Sequence, residues 1–103
     1  MPAKVVVMYG TPTDAATFNR QYTDDHVPLA KKIPGLRAFE VSDGPINTPA
    51  GPAPYANIVL LTFDSLADLQ AAVASPEGGA AIAHAQQIAT GGVSMYIYES
   101  REV

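Results

Sequence analysis

The sequence predicts an α+β domain of the ferredoxin-like class, with the element order β-α-β-β-α-β and both helical segments on one face of an antiparallel sheet. Four apolar runs rich in β-branched residues are separated by helix-like segments near the two ends of the chain and by a proline-rich loop in the middle. The chain has 103 residues, which is enough for one domain and too few for two. Residues 1–103 are therefore expected to form a single domain.

The first strand and the first helix are predicted from residue spacing. Residues 4–9 are a β-branched apolar run, which predicts a strand, and Thr13 or Asp14 is a candidate helix N-cap. The apolar residues that follow recur at the intervals of one helix face: Phe18, Tyr22, Leu29 and Ile33. Pro28 lacks an N–H and disfavours the α conformation of the residue before it, so a kink or break is expected at 26–28.

The middle of the chain predicts two strands joined by a long loop. Residues 36–42 and 56–63 have strand composition, and Asp64 or Ser65 can cap the helix that follows the second of them. The connection from 43 to 55 holds four prolines, which are too many for hydrogen-bonded structure. We therefore expect a loop that is either mobile or functional.

The last helical segment is rich in small residues. Pro76 opens it at its first turn, and it is expected to run to about residue 89, before a final strand at 93–99. Its glycines and alanines predict a helix that lies close to the sheet. His84 lies within it, and without a cysteine or a second histidine at fixed spacing it is interpreted as a packed or surface residue, not as a metal ligand.

The composition excludes several classes of function. Ten acidic against six basic residues give a net charge of -4, and the basic residues are scattered, so neither a nucleic-acid partner nor an anionic membrane is expected. The absence of cysteine excludes disulfides, thiolate nucleophiles and zinc–thiolate sites. Since no apolar segment approaches a membrane span and residues 1–4 lead directly into a strand pattern, we expect a cytoplasmic protein.

The predicted strands are apolar on both faces of the sheet. In the first strand Val5 and Val7 alternate with Val6 and Met8, where a sheet with one wet face would alternate apolar and polar residues. Two helical segments can cover only one face, so a second copy of the chain is expected on the other, in a two-fold homodimer with sheet facing sheet. The alternative is a monomer whose short strands are simply hydrophobic.

The end of the first helix holds the strongest candidates for chemistry. Tyr22 and His26 are four residues apart and therefore share one helix face. A histidine at a helix C-terminus beside Asp24 and Asp25 is expected to favour its protonated form and to serve as a general acid or base. The alternative is a half-exposed histidine that caps the free carbonyls at the helix end.

The pattern F-N-x-x-Y-x-x-x-H-x-P-L-A at residues 18–30, followed by Pro34-Gly35-Leu36, resembles the EthD family, which is named for ethyl tert-butyl ether degradation. This family belongs to the dimeric α+β barrel superfamily. Ser75-Pro76-Glu77-Gly78 before an alanine-rich helix resembles the second helix of the family, so the resemblance covers nearly the whole chain. This chain departs from the family at His84, near which such sequences usually carry an aspartate.

The resemblance implies a ferredoxin-like protomer that pairs through its sheets, in agreement with the two apolar faces. Enzymes of the superfamily are small and tend to need no metal or organic cofactor. They include isomerases, decarboxylases, cyclases and monooxygenases that act on cyclic or aromatic compounds in a cavity between sheet and helices. The resemblance therefore implies a small-molecule ligand and no cofactor, but the founding EthD protein has no clear catalytic role, so the reaction is not settled.

Five residues are the candidates for this site. His26 is expected to transfer a proton, with Tyr22 positioning it or the substrate, and Tyr9, Asn19 and Tyr96 are expected to bind the substrate. A tyrosine hydroxyl can donate to a developing enolate or phenolate. Packing in the core or in the dimer interface is the alternative for each tyrosine.

Together with the candidate residues, the resemblance implies a cofactor-free enzyme that acts on an apolar cyclic or aromatic metabolite. Proton-transfer chemistry (isomerisation, decarboxylation or cyclisation) is expected before oxygenation, which needs a substrate that itself forms a carbanion. The alternative is a non-catalytic binding or accessory protein of a degradation pathway that uses the same cavity. Nucleotide-binding and serine-hydrolase motifs are absent.

Overall fold

The computed structural model describes all 103 residues. Along the chain the elements are β1 (Ala3–Gly10), α1 (Ala15–Gln21), a π-helical turn (Tyr22–His26), α2 (Val27–Ala30), β2 (Ala38–Val41), β3 (Asn47–Thr48), β4 (Gly51–Pro52), β5 (Tyr55–Phe63), α3 (Leu66–Ala74), α4 (Pro76–Ile88) and β6 (Val93–Glu99). The main sheet is antiparallel with the order β2-β5-β1-β6, and the predicted ferredoxin-like α+β fold is confirmed. None of the helices could cross a membrane, since the longest, α4, has 13 residues.

The helices cover one face of the sheet. Strand residues on this face and helix residues above them form one buried cluster, which includes Val7, Tyr9, Val59, Leu61 and Phe63 from the strands and Phe18, Tyr22, Leu69, Ala72, Ala85 and Ile88 from the helical segments. The protomer is 18 Å thick along its shortest axis, which is room for one sheet and one layer of helices. Nothing within the protomer therefore covers the second face.

The second face of the sheet, here called the open face, has an apolar centre of Val6, Met8, Ile58, Leu60, Tyr96 and Tyr98. Lys4, Glu40, Thr62 and Ser94 lie on the same face. Strand pairing sets Val6 of β1 between Leu60 of β5 and Tyr96 of β6. Tyr96 is 58% exposed and Tyr98 is 43% exposed. The structure thus confirms a sheet with two apolar faces, of which the helices of the protomer cover one.

The sequence predicted a kink or break at 26–28, and the structure shows no break there. The first helix runs from α1 through the π-helical turn into α2, and the Val27 N–H donates to the Tyr22 carbonyl, five residues earlier. Val27 keeps α-helical angles, with φ -56° and ψ -46°. The predicted break is wrong because the wider π turn gives room for the ring of Pro28. The wider turn also accommodates the missing hydrogen bond, since proline has no N–H to donate.

The segment between β2 and β5 is more regular than its prolines suggested. β3 and β4 pair as a short hairpin in which Asn47 lies opposite Pro52, and the Thr48 hydroxyl donates to the Gly51 carbonyl at 2.9 Å. A proline carbonyl still accepts hydrogen bonds, and proline is tolerated in edge strands. The expectation that this loop has no hydrogen-bonded structure is therefore wrong.

The helix starts follow the predicted capping chemistry. Asp14 and Ser65 are the caps in use, and the side chain of each accepts a hydrogen bond from the N–H three residues further on. Ser75 caps α4 in the same way, by accepting from the Gly78 N–H at 3.0 Å. A Cβ on Gly78 would collide with the carbonyl of Ala72, so α4 can start against the end of α3 only because this residue is glycine.

Candidate functional site

A cavity of about 130 Å³ lies between the sheet and the helices. Large side chains such as Leu61 and Met95 line it from the strands, and small ones such as Ala81 and Ala85 line it from α4. The expectation that the small residues bring this helix close to the sheet is therefore wrong along the middle of α4. There the missing side-chain volume leaves an empty space above the strands.

Seventeen of the nineteen residues that line the cavity are hydrophobic. The exceptions are Gly78 and His26, so the side chains with polar atoms in the wall are His26, Tyr9 and Tyr22. The Tyr9 and Tyr22 rings meet edge to face with centroids 5.6 Å apart, and the Tyr22 and His26 rings are 5.3 Å apart. β1 and the π turn thus bring three of the five predicted site residues together.

The Tyr22 hydroxyl is buried and has no hydrogen-bond partner. Leaving such a group unpaired costs about 1–3 kcal/mol, so its retention in an apolar wall is unusual for a purely structural position. Burial, and next to it the negative charge that Tyr9 would carry on ionising, raises the pKa of Tyr22 above its usual value. Burial also raises the pKa of Tyr9 to about 12. Both hydroxyls therefore keep their protons at neutral pH.

His26 is only 7% exposed, and its burial lowers its pKa to about 4, with the neighbouring charge of His84 as the second cause. The expectation that the helix end, Asp24 and Asp25 favour the protonated form is therefore wrong. The helix continues past His26, so no helix C-terminus lies there, and both aspartates are exposed. The capping alternative is wrong for the same reason. At neutral pH the ring is neutral and can accept a proton.

His84 of α4 contacts His26 directly. The two Nδ1 atoms are 3.1 Å apart, the ring planes differ by 10°, and the ring centroids are 5.3 Å apart. The distance between the ring centroids is longer than the distance between the two nitrogens by about two ring radii. This is possible only if both nitrogens lie close to the line between the two centroids. The rings therefore meet edge to edge in nearly one plane. One Nδ1 must donate and the other accept, so the pair holds a single proton between them.

The contact between these histidines, which are 58 residues apart, was not predicted from the sequence. A usable signal lies in α4, because His84 is three residues after Ala81 and four before Ile88, and both of these are buried. This spacing puts His84 beside the inward stripe of the helix. No third histidine, cysteine or carboxylate joins the pair to form a metal-binding cluster.

Two predicted substrate-binding residues do not reach the cavity. Asn19 is exposed on α1 and is not part of the cavity wall. Tyr96 lies on the open face, whereas its neighbour Met95 lines the cavity. Successive side chains of a strand point to opposite faces, so these two neighbours are separated by the sheet itself. The predicted placement of Asn19 and Tyr96 in the site is therefore wrong.

Comparison with known proteins gives a family match and two relatives at 30% identity or more. The family model of the EthD domain matches residues 11–87. An uncharacterised 11.0 kDa protein of the thcB-thcC intergenic region of Rhodococcus erythropolis is 35% identical over 100 residues, covering 97% of this chain and 96% of the relative. The crystal structure of an EthD family protein from Bacillus halodurans C-125 superposes with a TM-score of 0.89 at 30% identity, covering 98% of this chain and 100% of that one.

Other solved structures share the fold at lower identity. A hydroxynitrile lyase from Passiflora edulis has a TM-score of 0.73 at 19% identity, covering 99% of this chain and 95% of that one. SnoaB, a cofactor-independent oxygenase from Streptomyces nogalater, has a TM-score of 0.66 at 13% identity with the same coverage. A dimeric ferredoxin-like protein from Jannaschia sp. CCS1 has a TM-score of 0.69 at 21% identity, covering 97% and 100%. The ferredoxin-like fold is thus shared with proteins described as dimeric.

Proposed function

This chain belongs to the EthD family, and from this premise we propose that it is a cofactor-free enzyme that moves a proton on a small apolar molecule held in the cavity. The observation that carries the proposal is the arrangement of a buried neutral His26 beside the unpartnered Tyr22 hydroxyl in an otherwise apolar wall. A proton acceptor and a hydroxyl donor in the wall of one cavity are the two groups that removal of a proton next to a carbonyl requires.

The size and lining of the cavity define the substrate class. A volume of about 130 Å³ is close to that of an engineered apolar cavity of ~150 Å³ that binds benzene. The ligand is therefore a single small ring, or a branched molecule of equal size, with one oxygen for the hydroxyls. No Lys, Arg, Asp or Glu lines the wall, which favours a neutral substrate.

The proposed chemistry assigns a role to each polar residue of the wall. His26 removes a proton from carbon, and the Tyr22 hydroxyl donates to the substrate oxygen as negative charge develops there, with Tyr9 beside it as a second donor. Isomerisation, decarboxylation and cyclisation can each use such a step, and oxygenation would start from the same carbanion. Two proteins of the same fold are named as a lyase and a cofactor-independent oxygenase, which supports testing for catalysis first.

A non-catalytic binding or accessory protein is the second candidate. The specific observation in its favour is the pKa of His26, which at about 4 makes this residue a weak base. Such a protein would use the same cavity and the same hydroxyl donors to hold the ligand without changing it.

The experiment uses cyclohexanone, a neutral ring of suitable size with one carbonyl oxygen. We expect the protein to accelerate exchange of its α-hydrogens for deuterium in D₂O, measured by NMR, and His26→Gln to reduce the protein-dependent rate about a hundredfold. The wild-type rate should fall as pH decreases through about 4, where His26 takes up a proton, and this limb should be absent from the variant.

The matched control for the hydroxyl is a pair of identical substitutions. Tyr22→Phe should reduce exchange about tenfold to a hundredfold, whereas Tyr98→Phe on the open face should leave it unchanged. Binding of cyclohexanone without accelerated exchange would reject the enzyme and support the binding protein. Absence of both binding and exchange would contradict the proposed substrate class.

We also propose that the open face is the interface of a cytoplasmic homodimer. Proteins of the same fold are described as dimeric, and a contiguous apolar surface across three strands gives a second copy a large area to cover. At roughly 25 cal/mol per Å², burial of about 600 Å² per chain would contribute on the order of 15 kcal/mol before the costs of association.

A further inference from the structure

We propose that His26 and His84 form a proton relay between the cavity and solvent, in which His84 delivers protons to His26 and removes them from it. The relay rests on the proposed function, because it would serve the proton transfer proposed there. Its test needs no enzyme activity. His26 lines the cavity and is almost completely buried, whereas His84 is half-buried and stands outside the cavity wall. The pair therefore links the wall of the cavity to the surface of α4, on the side away from the cavity.

The geometry of the pair suits proton transfer. The Nδ1 atoms are 3.1 Å apart and lie on the line joining two nearly coplanar rings, so an N–H on either ring is aimed at the other nitrogen. This contact uses Nδ1 of His26 and leaves Nε2 as the nitrogen available to a ligand in the cavity. On His84 it leaves Nε2 for exchange with water.

No other ionisable group competes for this proton. The tyrosines nearest to the pair are Tyr9 and Tyr22, both of which keep their protons at neutral pH. The charged residues on the elements around the pair are all exposed and form no hydrogen bond or ion pair with either ring: Asp24 and Asp25 on the π turn, Lys31 and Lys32 after α2, and Glu77 at the start of α4. The two rings therefore pass a proton only to each other, to a ligand or to water.

A complete cycle balances without rotation of either ring. At the start His26 carries its proton on Nδ1 and His84 carries its own on Nε2. The substrate C–H bond breaks as its proton binds Nε2 of His26, the Nδ1 proton of His26 passes to Nδ1 of His84, and His84 releases its Nε2 proton to water. In the return step Nε2 of His26 gives its proton to the carbanion, and the His84 Nδ1 proton passes back to His26. His84 then takes a proton from water on Nε2, which restores the starting tautomers. The proton that returns to carbon is the one held on Nε2 of His26, so the substrate takes up a solvent proton when that position has exchanged with water in the half-open cavity. A reaction that removes a proton and returns one, such as an isomerisation, therefore resets the relay.

The test follows the proton directly and needs no substrate. The chain contains two histidines, so labelling with ¹⁵N-histidine marks only these two rings for NMR. The variants are His84→Asp and His84→Asn, whose Oδ1 atom stands where histidine has Nδ1. The two variants have the same shape, but only the carboxyl group can take up and release a proton. The measured quantity is the exchange rate of the His26 ring N–H with water.

We expect the wild-type protein and His84→Asp to exchange this proton at least about tenfold faster than His84→Asn, because without a relay the buried ring must wait for local opening of the structure. The carboxylate in His84→Asp should also raise the pKa of His26 above its wild-type value of about 4. His84→Gln serves as a second non-relaying variant if His84→Asn does not fold. Equal or faster exchange in the amide variants would overturn the relay.

The relay and the proposed function fail separately. If ring N–H exchange depends on a titratable residue at position 84 but the protein does not accelerate cyclohexanone deuteration, the relay is supported and the enzyme is rejected. Accelerated deuteration that requires His26, with ring exchange independent of position 84, would leave the enzyme standing and reject the relay.

Discussion

The two faces of the sheet have similar apolar side chains and opposite surroundings. The helix-covered face holds Val7, Val59 and Leu61 below a cavity, and the open face holds Val6 and Leu60 with no cover in the protomer. Strand alternation produces both faces from the same residue types. The difference shows that the covering layer, more than the strand composition, decides which face borders a cavity and which stays uncovered in the protomer.

The tyrosines show the same contrast within one residue type. Tyr22 is buried in the cavity wall with an unpaired hydroxyl, whereas Tyr96 and Tyr98 are exposed on the open face. Burial removes the Tyr22 hydroxyl from water and thereby raises its pKa. A tyrosine on the open face is suited to packing against a partner, and one in the cavity is suited to donating a proton in a hydrogen bond to a ligand.

The largest expected effect concerns the open face. Leu60→Glu sets a charge at the centre of the proposed interface and should weaken dimerisation about a hundredfold or more, since an unpaired buried charge costs about 3–5 kcal/mol. Gln70→Glu makes the same change in charge at an exposed position of α3 and should have no effect. Analytical ultracentrifugation over a range of concentrations measures both. A wild-type protein that stays monomeric at every concentration would remove the proposed role of this face.

The next effect concerns the helix-covered face and the pH dependence of stability. The pKa of His26 is about 4 in the folded protein and 6.5 without the fold, so between these values the unfolded chain binds more protons. Above pH 6.5 His26 is neutral in both states, and the free energy of unfolding carries no penalty from its protonation. As the pH falls towards 4, the unfolded chain takes up the proton first, which lowers the free energy of unfolding by on the order of 3 kcal/mol at most.

Urea denaturation at pH 7 and at pH 4.5 measures this effect. Carboxylates also titrate in this range, so the quantity of interest is the difference in free energy of unfolding between the wild-type protein and His26→Leu. The wild-type protein should lose stability relative to His26→Leu as the pH falls. Parallel pH profiles of the two proteins would mean that burial does not lower the pKa of His26.

The smallest effect is expected from removing hydroxyls. Tyr22→Phe deletes an unpaired buried group and should leave the free energy of unfolding unchanged or raise it by about 1 kcal/mol, even though cyclohexanone exchange falls. Tyr98→Phe should change stability by less than about 0.5 kcal/mol. Thermal unfolding of both variants gives the comparison. A clear loss of stability in Tyr22→Phe would indicate that its hydroxyl has a structural partner.

Prediction from sequence succeeded where the signal is local. β-branched runs located the four strands of the main sheet, and capping side chains located the helix starts, because each depends on neighbours within a few residues. Tyr9, Tyr22 and His26 were placed together because the helix period and the strand alternation point them to one side. Asn19 was misplaced because the motif that contains it gives no information on which helix positions are buried.

By itself the sequence determined the order of elements, the two apolar faces of the sheet and the family of the chain. Only the tertiary structure decided that Tyr96 lies on the open face, that the helix accommodates Pro28 and that His26 meets His84 across 58 residues. It also reversed the expected protonation of His26, because the pKa of a side chain follows its burial and its neighbours in space. Local periodicity determines which face of a helix or strand a residue lies on. The packing of elements that are distant in sequence determines which residues it contacts there.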